Sequence, residues 1–186
     1  MLMKIGADID LFSYGYLRVA AAVPRVSPAD TEGNALAICE IIDQAAKQQV
    51  SVLTLPELAV TGYTCADLFH QKLLIERAAD ALDIVARHTV GVPGMLVAVG
   101  LPLLRDGLLY NCAAILCAGK ILGVIPKTYV PNYGEFYEKR WFASGACTSG
   151  DIRIGHRHVP FGTDILFEYK GVKIGVEICE DLWAPI

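Results

Sequence analysis

Three ionisable side chains stand within two residues of the ends of three apolar runs. Glu57 follows Val50-Ser-Val-Leu-Thr-Leu55, Lys127 follows Ile121-Leu-Gly-Val-Ile125, and Cys179 follows Val172-Lys-Ile-Gly-Val-Glu-Ile178. Short apolar runs rich in β-branched residues read as buried strands. An α/β sheet presents its reactive groups at the C-terminal ends of such strands. If the three strands share a sheet, the three side chains converge on one edge of it. Their chemistry is complementary. A thiol attacks an acyl carbon once a neighbouring base takes its proton, and a carboxylate can do this and then return the proton to a leaving amine. A lysine ammonium can stabilise the oxyanion and hold the carboxylate in place. The trio therefore points to acyl transfer from an amide or nitrile. Taken singly, each residue has a plainer reading: a core cysteine, a solvated glutamate at a strand end, a surface lysine. Joint placement carries the prediction.

The elements that must position these residues alternate between strand and helix. A first strand is predicted over residues 16–23, stopped by Pro24. Ser27-Pro-Ala-Asp-Thr-Glu32 then has helix-start chemistry, and Ala35, Ile38, Ile42 and Ala45 recur at helical spacing as far as about Gln49. The strand that ends before Glu57 follows, and this β-α-β order predicts an α/β fold with parallel pairing. A second helix carries Leu74, Ala78, Ala81, Leu82 and Val85 on one face. Beyond the Pro93-Gly94 turn, Met95–Leu104 and Leu108–Ala118 read as strands joined by an Asp106-Gly107 hairpin turn, with Ile121–Ile125 after Ala118-Gly119. From Pro126 to about Gly150 the chain is aromatic, charged and aperiodic, as functional loops are. Residues 159–167 are ambiguous, and Leu166–Gly171 with Val172–Ile178 reads as a hairpin whose second strand is buried. The chain stops three residues after Trp183, where a further helix is expected to cover the sheet. That predicts the N-terminal part of a longer domain.

Composition narrows the function classes. The 186 residues carry a net charge of −4 and show no Lys/Arg stripe, so nucleic acid is not an expected partner. No apolar run reaches the ~18 residues of a membrane span. The N-terminal segment lacks a signal-peptide core, so a cytoplasmic location is the default expectation. Six cysteines (39, 65, 112, 117, 147, 179) show no zinc-binding spacing. Reduced thiols are expected, with Cys39, Cys112 and Cys117 in the core. His156-Arg-His158 puts two imidazoles on one predicted strand face, yet no acid or cysteine stands at ligand spacing, so no metal site is predicted.

Three stretches carry a family resemblance. Leu55-Pro-Glu-Leu-Ala-Val-Thr-Gly-Tyr63, Pro126-Lys-Thr-Tyr-Val-Pro-Asn-Tyr-Gly-Glu-Phe-Tyr-Glu-Lys-Arg-Trp-Phe142 and Gly175-Val-Glu-Ile-Cys-Glu-Asp-Leu-Trp183 resemble, in order, the motif blocks of the nitrilase superfamily. More narrowly they resemble the N-terminal glutaminase domains of glutamine-dependent NAD⁺ synthetases, because Thr-Tyr-Val-Pro-Asn-Tyr follows the lysine and Glu-Asp-Leu-Trp the cysteine. The resemblance implies an α/β chain of nitrilase-like αββα four-layer character, with residues 1–186 forming the N-terminal part of a carbon–nitrogen hydrolase domain. It implies Glu57 as general base and acid, Lys127 as transition-state stabiliser and Cys179 as the nucleophile that carries a γ-glutamyl thioester. Tyr133 matches a tyrosine that contacts L-glutamine. Glu135, eight residues after Lys127, matches a second glutamate that supports the lysine and the substrate.

The expected partners are L-glutamine, a C-terminal synthetase domain of the same protein, and further copies in a homo-oligomer. No cofactor is expected in this chain. ATP and Mg²⁺ belong to the synthetase domain, whose Ser-Gly-Gly-x-Asp-Ser phosphate loop does not occur in these residues. Alone, the 186-residue chain is expected to release little glutamate, its pocket being open to water on one side. Two other readings remain at this level: a free-standing amidase acting on another small amide, and a non-catalytic scaffold that keeps the fold.

Overall fold

The computed structural model describes residues 11–184; the N-terminal segment from Met1 that was read for a signal peptide lies outside them. A mixed sheet of five strands is the frame. Its order follows the chain: β1 (Val19–Ala21), β2 (Val52–Thr54), β3 (Leu96–Arg105), β4 (Leu108–Cys117) and β5 (Lys120–Pro126). The first three strands are parallel, and β3, β4 and β5 run antiparallel in turn. The parallel part is linked by α1 (Thr31–Lys47) and α2 (Lys72–His88), the two predicted helices. Asp30 caps α1 by accepting the Gly33 N–H at 3.0 Å, which occupies one of the amide donors a helix start leaves unpaired. Gln49 at φ +57° ends that stretch and turns the chain toward β2.

Both helices lie on one face of the sheet. Ile38, Ile42, Leu82 and Val85 pack with Val97, Val99, Leu101, Ala114 and Leu116, all fully buried. Each of these Ile, Leu and Val side chains contributes about 1.5–3 kcal/mol of transfer free energy. The β3–β4 turn has Asp106 and Gly107 at φ +51° and +80°, the paired positive values that match strand twist in a two-residue hairpin. Ala118 and Gly119 repeat this geometry between β4 and β5.

The opposite face carries small side chains. Ala98, Gly100 and Ala113 lie there, and the hairpin β8 (Phe167–Tyr169) and β9 (Val172–Ile174) covers part of it through Phe167, Ile174 and Val176. Here the structure corrects the sequence reading. β8 and β9 form a separate two-stranded sheet, so the segment that leads to Cys179 does not share the sheet of β2 and β5. Its pairing stops at Ile174, and β9 itself is largely exposed. The pattern has the trace of a buried strand because apolar Val176 and Ile178 face the large sheet without pairing to it. A second correction concerns β6 (Asp151–Ile154) and β7 (Arg157–Pro160), a hairpin where the sequence reading has a single strand face through His156-Arg-His158. His156 stands in its turn and His158 on β7, both exposed, so the two imidazoles do not share a strand. Cys117 is half-buried, while Cys39 and Cys112 are core residues as expected.

Candidate active site

The backbone at Glu57 is shaped by a glycine. The turn Pro56-Glu57-Leu58 lies flat against Gly100 of β3, where a Cβ would stand 2.4 Å from the Pro56 carbonyl oxygen and 2.5 Å from the Leu58 nitrogen. Leu58 takes φ +53° to complete the turn. Glu57 is thereby aimed along the face away from the helices. Lys127 continues β5, its N–H donating to the Asn111 carbonyl at 2.8 Å, and its side chain is fully buried.

The two meet. Lys127 Nζ donates to Glu57 Oε1 at 2.7 Å and to both oxygens of Glu138 at 2.9 and 3.0 Å. Burial alone would push the Lys127 ammonium down. Hydrogen bonds and charge from Glu57 and Glu138 outweigh it and hold the group above its ordinary value. One cation therefore serves two carboxylates. Tyr63 donates its hydroxyl to Glu138 Oε1 at 2.5 Å, and burial with this anionic partner drives the phenol well above its usual range.

Cys179 reaches the same place from the other side. It opens a short 3₁₀ turn, Cys179–Leu182, with φ +53°, a value that costs a residue with a Cβ about 1–3 kcal/mol and so marks a held conformation. Asp181 does the holding: its carboxylate accepts from Thr128 N at 3.1 Å and Tyr129 N at 2.8 Å, and weakly from Ile178 N at 3.4 Å. The turn that carries Cys179 is thus tied to the two residues after Lys127. A cleft of about 120 Å³ is lined by Glu57, Cys179, Val176, Ile178 and the small residues Ala98, Gly100 and Ala113. Burial raises the Cys179 thiol above its ordinary value; the Lys127 charge opposes this and the Glu57 charge adds to it.

Of the sequence-predicted residues, Glu57, Lys127 and Cys179 come together. Tyr133 is exposed on the loop and donates to Glu180 Oε2 at 3.1 Å, beside Cys179. Glu135 does not reach Lys127. It is exposed at the rim of a separate cavity of about 190 Å³ with Tyr63, Phe136 and Tyr137. The carboxylate that supports the lysine is Glu138, eleven positions beyond it and 2% exposed. Two bends between Lys127 and Glu138 make sequence distance a poor guide here, but an acid next to Tyr137 and three residues before Trp141 was a signal for burial. Asn111 and Asp181 were also missed. Asn111 is a lone polar residue in the apolar run Leu108–Cys117, and Asp181 sits two residues from the thiol. Among the described residues no group of three or more His, Cys, Asp or Glu side chains could hold a metal ion.

Residues 18–185 match the carbon–nitrogen hydrolase family, and the chain belongs to it. Within that family its similarity runs toward one kind of enzyme. The glutamine-dependent NAD⁺ synthetase of Mycobacterium leprae is 39% identical over 179 residues, covering 94% of this chain and 26% of that protein. The synthetase of Aquifex aeolicus is 31% identical, covering 91% and 26%. The chain thus spans about a quarter of the length of these relatives. The solved glutamine-dependent NAD⁺ synthetase from Cytophaga hutchinsonii aligns with a TM-score of 0.82 at 34% identity, over 89% of this chain and 28% of that one. An amidase from Nesterenkonia sp. aligns at 0.58 with 23% identity, over 77% and 54% of the two chains, a likeness of fold. The nitrilase-like α/β fold expected from the sequence is the fold of this protein.

Proposed function

We propose that residues 1–186 form the N-terminal part of a glutaminase domain that hydrolyses the side-chain amide of L-glutamine, and that the ammonia feeds ATP-dependent amidation of deamido-NAD⁺ by a separate C-terminal synthetase domain. One observation carries the hydrolytic half. Lys127 is buried between Glu57 and Glu138, and Glu57 lines the same small cleft as Cys179. The names of relatives up to 39% identical support glutamine as the amide.

The chemistry runs as follows. Glu57 takes the Cys179 proton as sulfur attacks the amide carbon, and the carbonyl π pair moves to oxygen. Lys127 exchanges one of its contacts with Glu138 for this oxyanion. As the tetrahedral adduct collapses, Glu57 returns the proton to nitrogen, the C–N bond breaks and ammonia leaves a γ-glutamyl thioester on Cys179. Water, deprotonated by Glu57, then cleaves the C–S bond; glutamate leaves and the thiol regains its proton. Tyr133 contacts the glutamine from the loop beside Glu180. Glu135 keeps the substrate side of its expected role, with the lysine supported by Glu138. The reaction takes place in the cytoplasm and in a homo-oligomer, and the synthetase domain supplies the ligase activity together with ATP and Mg²⁺.

Ammonia and glutamate release by the protein expressed from its whole reading frame tests this reading. kcat/KM for L-glutamine is expected to exceed that for butyramide by on the order of 10²-fold or more. Cys179→Ala is expected to lower glutamine turnover by at least about 10⁴-fold. Equal or better turnover of butyramide would favour a general amidase instead.

A further inference from the structure

Asn111 lies on β4 at the position facing Lys127, between the strand beside Glu57 and the strand that carries the lysine. Its backbone carbonyl accepts the Lys127 N–H at 2.8 Å. Its side-chain Nδ2 donates to Glu57 Oε1. An ionised carboxylate only accepts, so this contact fixes which end of the amide faces Glu57. The consequence is that Asn111 Oδ1 is buried without a hydrogen-bond partner, in a residue only 1% exposed. A buried acceptor left unpaired weakens the fold, and an apolar residue would remove that cost. Strand β4 is otherwise apolar around it, from Leu109 through Leu116 apart from the half-polar Tyr110. The side chain is therefore held at this position for what its amide nitrogen does.

That nitrogen shares one oxygen with the lysine. Asn111 Nδ2 and Lys127 Nζ both fall on Glu57 Oε1. Two donors occupy the lone pairs of that oxygen and fix the plane of the carboxylate, which leaves Oε2 to exchange protons. We propose that Asn111 is a positioning residue for the reaction: it locks Glu57 so that Oε2, and not Oε1, takes the proton of Cys179 and returns it to the leaving nitrogen. This rests on the glutaminase reading above. Lys127 alone leaves the carboxylate free to turn about its contact with Nζ; the second donor removes that freedom. Because Asn111 also holds the lysine backbone, one residue sets base and oxyanion cation relative to each other.

Asn111→Ala and Asn111→Asp in the whole protein test the proposal through two independent readouts. The first is steady-state glutamine turnover. Asn111→Ala is expected to lower kcat by about 10–100-fold with KM within about threefold, as for a group acting only on proton transfer. Asn111→Asp, nearly the same shape, offers an acceptor where the donor stood and is expected to lower kcat at least as far. The second readout needs no substrate: a crystal structure of each variant is expected to show the Glu57 carboxylate turned about its contact with Lys127 Nζ, against a single orientation in wild type. A kcat reduced only in proportion to the unfolded fraction, or a Glu57 carboxylate that keeps the wild-type orientation in both variants, would overturn the proposal. A carboxylate that turns in the variants of a protein whose wild type does not hydrolyse glutamine would instead leave Asn111 holding Glu57 and overturn the glutaminase reading.

Discussion

Burial raises the Cys179 thiol above its ordinary value, the Glu57 anion adds to this, and the nearby Lys127 cation only partly compensates. A raised value means less thiolate at neutral pH, so the proposed reaction requires a base that acts as substrate arrives. Alkylation of Cys179 by iodoacetamide is expected to increase with pH through a midpoint above the ordinary cysteine value of about 8.5. Glu57→Gln removes an anion that raises the thiol, and should bring the midpoint down. A wild-type midpoint below about 8 would argue for a pre-ionised nucleophile. Lys127 makes the opposite kind of statement. Its ammonium is held above the ordinary value by Glu57 and Glu138 against burial. The stability it contributes is therefore fully present below about pH 10.4 and is lost only as pH rises through the folded value. Lys127→Ala strands Glu57 and Glu138 beside each other without their cation, and is expected to cost about 3–5 kcal/mol by urea denaturation at pH 7.5. A cost under about 1 kcal/mol, typical of surface pairs, would contradict the buried cluster.

At the scale of elements, the site is assembled by tethers between segments far apart in the chain. Asp181 joins the turn of Cys179 to Thr128 and Tyr129, over fifty positions away. Asp181→Ala is expected to lower glutamine turnover by about 10²-fold through misplacement of the thiol, while urea stability falls by about 1–3 kcal/mol for three N–H groups left without their acceptor. Unchanged turnover in that variant would mean that Cys179 is placed by something else. The strands and helices of residues 19–126 were legible in the sequence because each obeys one period: two helices with a single apolar face and strands bounded by Pro-Gly, Asp-Gly and Ala-Gly turns. Residues 151–178 were legible only in part: the hairpin expected over Leu166–Ile178 forms between Phe167–Tyr169 and Val172–Ile174, but its place outside the large sheet and the hairpin β6–β7 were not. In the hairpin β6–β7 only Ile152, Ile154 and Val159 are buried, too few to dominate the pattern, and β8–β9 pairs only with itself. A two-stranded ribbon lying on another sheet leaves the same alternating trace as an edge of that sheet.

Across the whole molecule, one helical layer and one hairpin sandwich a five-stranded sheet, and small residues on the hairpin side leave the cleft that Glu57 and Cys179 line. Glu57, Lys127 and Cys179 could be chosen from sequence because each follows an apolar run and their chemistry is complementary. Glu138, Asn111 and Asp181 left only weaker signals, because what gives each its place is a partner that spacing does not reveal: Lys127 for the first, Glu57 for the second, Thr128 and Tyr129 for the third. The central claim is that Cys179 is the acyl-accepting thiol among six free cysteines. Incubation of the protein with a glutamine-like diazo ketone, followed by peptide mass mapping, tests it most directly. A single adduct on Cys179 is predicted; an adduct on Cys65 or Cys147 with Cys179 unmodified would contradict it.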